Sequence, residues 1–188
     1  MQKIKVSPGF TMLELMIVMV IVAIGLALAV PTFQDVTQRR QTTAQAEELA
    51  AFLSFAQSEA VKQNRPISVE LKHTNPGNWC VGAAETLTGC DCDGGGVACT
   101  IEGVTRVVSS ATYEKSSMLT PTGFAPDLVF AFDPVRGTKI ATDLGTTHSY
   151  TLQSDNGKYE LEVDVGATGR VKVCSPTASK KVPGFKPC

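Results

Sequence analysis

A chain of 188 residues has room for one ordinary domain and one further element, and two full domains would be a squeeze. With 17 basic and 18 acidic side chains the formal charge is -1, which excludes a broad uniform field for nucleic acid or acidic lipid. Six cysteines, all downstream of an apolar N-terminal segment, point to disulfides outside the cytosol rather than to a metal centre.

The first nine residues carry Lys3 and Lys5, and Phe10–Phe33 follows as a nearly unbroken apolar run, long enough for a helix of about 36 Å. Such a helix spans a bilayer, and the positive-inside tendency keeps the basic start in the cytoplasm and sends the rest outward. An ordinary secretory signal fits poorly: the run exceeds a normal h-region, no clean small-x-small site follows, and an acid stands near its start.

That acid is Glu14. A carboxylate in a lipid-spanning helix costs on the order of 3 kcal/mol, so it needs a partner, and no basic residue lies nearby. Cutting the chain after Gly9 would supply one, because the new amine of Phe10 stands one helical turn before Glu14. It would also remove Lys3 and Lys5, leaving 15 basic against 18 acidic side chains and a balance of -3.

Pro31 is expected to kink the helix or melt it locally, since it lacks an amide donor. The helical pattern resumes with Leu49, Phe52, Leu53, Ala56 and Ala60 on one apolar face, and with Gln45, Glu47, Glu48, Gln57, Ser58 and Lys62 at other angles. Asn64-Arg65-Pro66 stops it. Ile67, Val69 and Leu71 then alternate with polar residues, the period of a half-buried strand.

Further strands are predicted at Trp79–Gly82, Val97–Ile101, Thr105–Val108, Leu128–Phe132 and Ser149–Gln153. Ser154–Gly157 is a hairpin turn followed by alternating Tyr159, Leu161, Val163 and Val165, so an antiparallel sheet is expected. The fold class is α+β.

Cys90-Asp91-Cys92 is not a paired C-x-x-C, and neither His73 nor His148 stands at ligand spacing, which argues against zinc. Asp91–Gly96 lacks the ligand series and closing Glu of a calcium loop. Cys174 and Cys188 bracket a polar, proline-containing tail and are expected to pair. A bridge from Cys90 to Cys92 would be strained, so Cys80 pairs with one of these two and Cys99 with the other. Arg170, Lys172, Lys180, Lys181 and Lys186 make the C-terminal region locally basic. His73 and His148 read as surface residues without a nucleophile elbow, phosphate loop or metal motif beside them, so no enzyme, cofactor or metal is expected.

Gly9-Phe10-Thr11-Met12-Leu13-Glu14 resembles the class III signal of type IV pilins and type II secretion pseudopilins. The resemblance implies a prepilin peptidase that cuts between Gly9 and Phe10 and methylates the Phe10 amine, and it implies that Glu14 meets a neighbour's amine during assembly. Residues 51–61, Asn64-Arg65-Pro66-Ile67 and the late strand Gly169–Cys174 are similar to the FimT/GspH group of minor pilins and pseudopilins, FimU-like members included. A pilin-like fold follows: leader 1–9, membrane and filament-core helix 10–33, amphipathic helix 34–65, and a β-rich periplasmic head 66–188.

The implied function is a minor pilin at the inner membrane that initiates or caps a type IV pilus. Its partners would be other minor pilins, the major pilin, the prepilin peptidase, the inner-membrane assembly platform and membrane lipid. One alternative is a DNA-uptake pilin using Arg170, Lys172, Lys180 and Lys181. There the FimT-like Gly-Arg-x-Arg pattern has Lys172 in place of the second Arg, which keeps phosphate attraction but loses bidentate geometry. The other alternative is the minor pseudopilin H of a type II secretion system.

Overall fold

The computed structural model describes residues 9–113, 115–119, 127–140 and 148–188, with the side chains of 28–32 and 127–128 also left undescribed. The chain divides into two units, Met1–Thr37 and Gln38–Cys188. Helix α1, Met12–Gln63, contributes to both. It carries no break at Pro31, so the melted turn predicted from that residue is absent. A proline removes one ladder donor, and one lost hydrogen bond need not interrupt a helix of this length.

In the second unit α1 ends where the sequence places its stop. Asn64 takes a positive φ of 50°, and the Arg65 amide donates to the Ala60 carbonyl, an αL cap that asparagine tolerates well. Strands β1 (Ile67–Asn75) and β2 (Asn78–Ala84) follow as an antiparallel pair. Short strands β3 (Thr100–Ile101) and β4 (Val104–Thr105) form a separate ribbon, and β5 (Val107–Ser109) pairs with β2. The predicted strand Thr105–Val108 is thus broken at Arg106.

Then come β6 (Ser116–Met118), β7 (Asp127–Phe132), β8 (Lys139–Ile140), β9 (His148–Ser154), β10 (Glu160–Val165) and β11 (Val171–Cys174). Among the described residues they complete two sheets besides that ribbon, ordered β5-β2-β1-β7-β8 and β11-β10-β9-β6, with the antiparallel pairing expected from the sequence. All strand pairs are antiparallel.

One core joins these layers. Leu49, Leu53, Ala56 and Ala60 of α1 meet Ile67, Val69, Phe130, Phe132, Leu152, Leu161 and Val163 of the sheets. Burying a side chain such as Leu53 stabilises the unit by roughly 2 kcal/mol. The polar flank of α1 differs from expectation, because Gln45 is fully buried and Gln57 is partly so. Gln38, Gln41, Gln45 and Glu48, spaced by three, four and three residues, accept hydrogen bonds from the Asn156 amide, the Lys115 amide, the Ser116 hydroxyl and the Tyr113 hydroxyl. The start of this helix segment is therefore held by a polar seam and its end by an apolar one. Losing water on one side and donating to Glu48 on the other push the Tyr113 phenol up to about 12.

Candidate functional site

Three regions carry the residues singled out by the sequence. The first is the start of α1. Thr11 stands just before the helix, and its hydroxyl oxygen accepts the Glu14 amide at 3.2 Å, an N-cap that places Glu14 in the first turn. A carboxylate there also suits the positive end of the helix dipole. Phe10 is 80% exposed, and Met12, Leu13, Leu15 and Met16 are exposed as well, so among the described residues apolar side chains face outward uncovered. Soluble surfaces rarely carry so many together, and such a stretch calls for lipid or protein around it. Among the described residues no helix is long and apolar enough to cross a membrane. The expected span 10–33 runs through residues 28–32, whose side chains lie outside the described ones, as do Lys3 and Lys5.

The second region is the cysteine loop. Cys80 is bonded to Cys92, Cys90 to Cys99, and Cys174 to Cys188. Gly82 of β2 gives the Cys90–Cys99 bridge its place, since a Cβ there would collide with both sulfurs. Asp91 organises the loop between them. Its carboxylate takes the Lys72 ammonium at 2.6 Å and the amides of Asp93 and Gly95, which fills the oxygens a cation would use. The hydrogen bond to Lys72 holds Asp91 below its ordinary range and Lys72 above its own.

The third region is the outer face of β9, β10 and β11. Ser149, Glu162, Asp164, Arg170 and Lys172 line an open cavity of about 380 Å³, with Cys188 at its edge. Asp164 accepts from Ser149 at 2.6 Å and pairs with Lys172 at 2.9 Å. Lys180 pairs with Glu160 at 3.3 Å. Two of the basic residues expected to meet phosphate are thus engaged by acids of the same face, while Arg170 and Lys181 stay exposed. Partial burial, followed by the hydrogen bond and charge of Asp164, pushes the Glu162 carboxyl up to about 7. Gly169 is required by sterics, because at φ 78° it lies against the Gly137 carbonyl, where a Cβ would overlap the oxygen.

The histidines depart from the sequence reading. His148 is buried, not at the surface, because β9 begins with it and its inward register is His148, Tyr150, Leu152 and Ser154. Its ring stacks on Phe130, and its Nδ1 lies 2.5 Å from the ammonium of buried Lys139. His73 is half-buried, with Nε2 3.1 Å from the Met118 carbonyl. Neither the polar seam nor this Lys139–His148 pair was singled out from sequence. The seam had a signal, the three-four-three spacing of Gln38, Gln41, Gln45 and Glu48; the buried lysine had none.

Residues 45–169 match the family described as type II transport protein GspH, and residues 5–30 match the prokaryotic N-terminal methylation motif. The chain belongs to the GspH family. Together the two matches make the chain a member of the pilin and pseudopilin group. Over 80 residues the chain is 36% identical to the type IV major alpha-pilin of Moraxella bovis, covering 43% of this chain and 50% of that one. Over 68 residues it is 37% identical to type II secretion system protein H of Pseudomonas aeruginosa, covering 36% and 40%. The chain thus spans half or less of the length of these curated relatives.

Solved structures carry the same fold. The type IV minor pilin FimU of Pseudomonas aeruginosa superposes with a TM-score of 0.51 at 19% identity, covering 79% of this chain and 97% of its own. The minor pseudopilin EpsH of Vibrio cholerae superposes with a TM-score of 0.50 at 11% identity, covering 72% and 98%. The GspH-family fold is therefore the pilin fold, a long N-terminal helix with an antiparallel β head.

Proposed function

We propose that this chain is a minor pilin of a type IV pilus, a structural subunit that helps to initiate or cap the filament after its leader is removed. The observation that carries this reading is the start of α1. A capped helix begins immediately after Gly9-Phe10, presents exposed apolar side chains, and holds a single carboxylate, Glu14, in its first turn. Cleavage between Gly9 and Phe10 turns the Phe10 nitrogen into an ammonium one turn from that carboxylate. Residues 1–9 are then leader, 10–33 anchor and filament core, 34–65 amphipathic helix and 66–188 periplasmic head, with the protein held in the inner membrane before assembly.

Inside lipid or a filament core, Glu14 is costly unless it is paired, so an incoming subunit gains by placing it against the amine of an assembled neighbour. Docking register follows from that pairing. The test is Glu14→Ala: peptidase processing stays near the parent level, whereas incorporation into sheared filaments falls. Equal incorporation of variant and parent would sink the reading.

A second reading, the minor pseudopilin of a type II secretion system, is favoured by the match of residues 45–169 to type II transport protein GspH. Deleting the gene and scoring twitching and protein secretion side by side separates the two. The DNA-uptake reading has less support, because Lys172 and Lys180 already have acidic partners. A salt-dependent duplex shift, lost on Arg170→Ala, would revive it.

A further inference from the structure

A groove of about 250 Å³ lies between the first turns of α1 in the head unit and the disulfide-closed tail. Arg39, Arg40 and Thr43 form one wall; Val182, Pro183 and Phe185 form the other. Among the described residues neither Arg39 nor Arg40 has a hydrogen-bond or ion-pair partner, although Arg39 is half-buried. Two guanidinium groups gathered at one concave site, neither bound to a carboxylate among the described residues, suit an anion, and their planar forks fit phosphate oxygens. Lys181 and Lys186 of the same tail are exposed, their ammonium groups without a partner among the described residues, and they raise the local positive charge further. Glu47 stands at the groove as the opposing charge.

We propose that this groove binds the phosphate of an anionic phospholipid headgroup. Two observations select lipid over a free anion. Arg39 follows Phe33, the end of the apolar run, by six residues, so it lies within about 20 Å of that end along any path of the chain. For an anchored subunit that tether is short enough to let the groove reach the headgroup layer. The tail wall, with Val182 buried and Phe185 half-buried, also offers the apolar contact that a glycerol ester needs and a hydrated ion does not. The disulfide-closed tail thereby holds one wall of the receptor in place. This proposal rests on the reading that residues 10–33 anchor the chain.

The test uses the full chain in phosphatidylcholine nanodiscs with and without phosphatidylglycerol, each lipid carrying a photoreactive headgroup in turn, with cross-links mapped by mass spectrometry. The expected result is labelling of residues 39–47 and 182–186 by phosphatidylglycerol. Labelling should fall about tenfold in Arg39→Gln/Arg40→Gln and rise in Glu47→Gln. The double variant should keep the parent's thermal midpoint, since among the described residues neither arginine makes a hydrogen bond or ion pair; should it fail to fold, the Glu47→Gln arm and the comparison of the two lipids decide. Equal labelling by phosphatidylcholine, labelling confined to other segments, or a signal unmoved by the double variant would overturn the proposal. Displacement by inorganic phosphate would overturn it in favour of a free-anion site. A chain that fails to co-elute with nanodiscs would sink the anchoring reading itself, whereas co-elution without headgroup labelling sinks only the lipid site.

Discussion

Gln57 of α1 donates its side-chain amide to the carbonyl oxygen of Gly137 at 2.7 Å, tying the helix to the turn between β7 and β8. Gly169, at the turn between β10 and β11, closes over the same oxygen. Helix and both sheets therefore meet at one carbonyl.

Replacing Gly169 by Ala places a Cβ on that oxygen and forces a positive φ on a residue that resists it. The expected cost is about 3 kcal/mol, or a fall of about 10 °C in Tm for a unit of this size. Differential scanning calorimetry of the parent and Gly169→Ala checks it. An unchanged Tm would show that the junction gives way freely.

The tail bridge has a measurable share of stability. Closing the loop between Cys174 and Cys188, 14 residues apart, stabilises by about 3 kcal/mol on chain-entropy grounds. Cys174→Ser/Cys188→Ser should lower Tm and open the segment around Val182 to limited proteolysis, while the Cys80–Cys92 and Cys90–Cys99 loops stay resistant. Proteolysis followed by peptide mapping without reductant reads both effects.

Glu162 and Asp164 make the head's stability depend on pH in opposite directions. Glu162 is raised from 4.5 to about 7 in the folded head, first by burial and then by Asp164. Its folded state therefore holds the proton more tightly, and the stability it contributes is full below 4.5 and lost as pH rises to about 7. Burial acts upward on Asp164 too, but hydrogen bonds from Ser149, Glu162 and Lys172 outweigh it and leave the group lowered. Its contribution is present above its unfolded value and lost only as pH falls through its folded one. Between these limits Tm should rise as pH falls from about 8 towards about 5, and Glu162→Gln should flatten that slope. A parent whose Tm is level across this window would contradict the assignment.

The elements legible in the sequence were those whose burial has a period. Leu49, Leu53, Ala56 and Ala60 show the helix face, and Tyr150 with Leu152, or Leu161 with Val163 and Val165, show the strands, because one wall of each faces the core. β6 and β8 were missed, since Ser116–Met118 and Lys139–Ile140 are too short and polar to show alternation. His148 was misplaced for a related reason: its burial depends on Phe130 and Lys139, partners that only the sheet brings to it. Gln45 shows the same limit on a helix, where a polar residue reads as solvent-facing until its acceptor role for Ser116 is seen. Among candidate functional residues, Gly9, Phe10 and Glu14 stood out because their motif is local. The tail lysines did not divide into paired and unpaired ones until Glu160 and Asp164 were placed beside them.

The measurement that bears most directly on the pilin reading is mass spectrometry of the N-terminal peptide from protein extracted from membranes. A chain that begins at Phe10, carries one added methyl group on its amine and retains the apolar residues after it is the expected result. A chain that still begins at Met1, or one that has lost everything through Phe33, would contradict it.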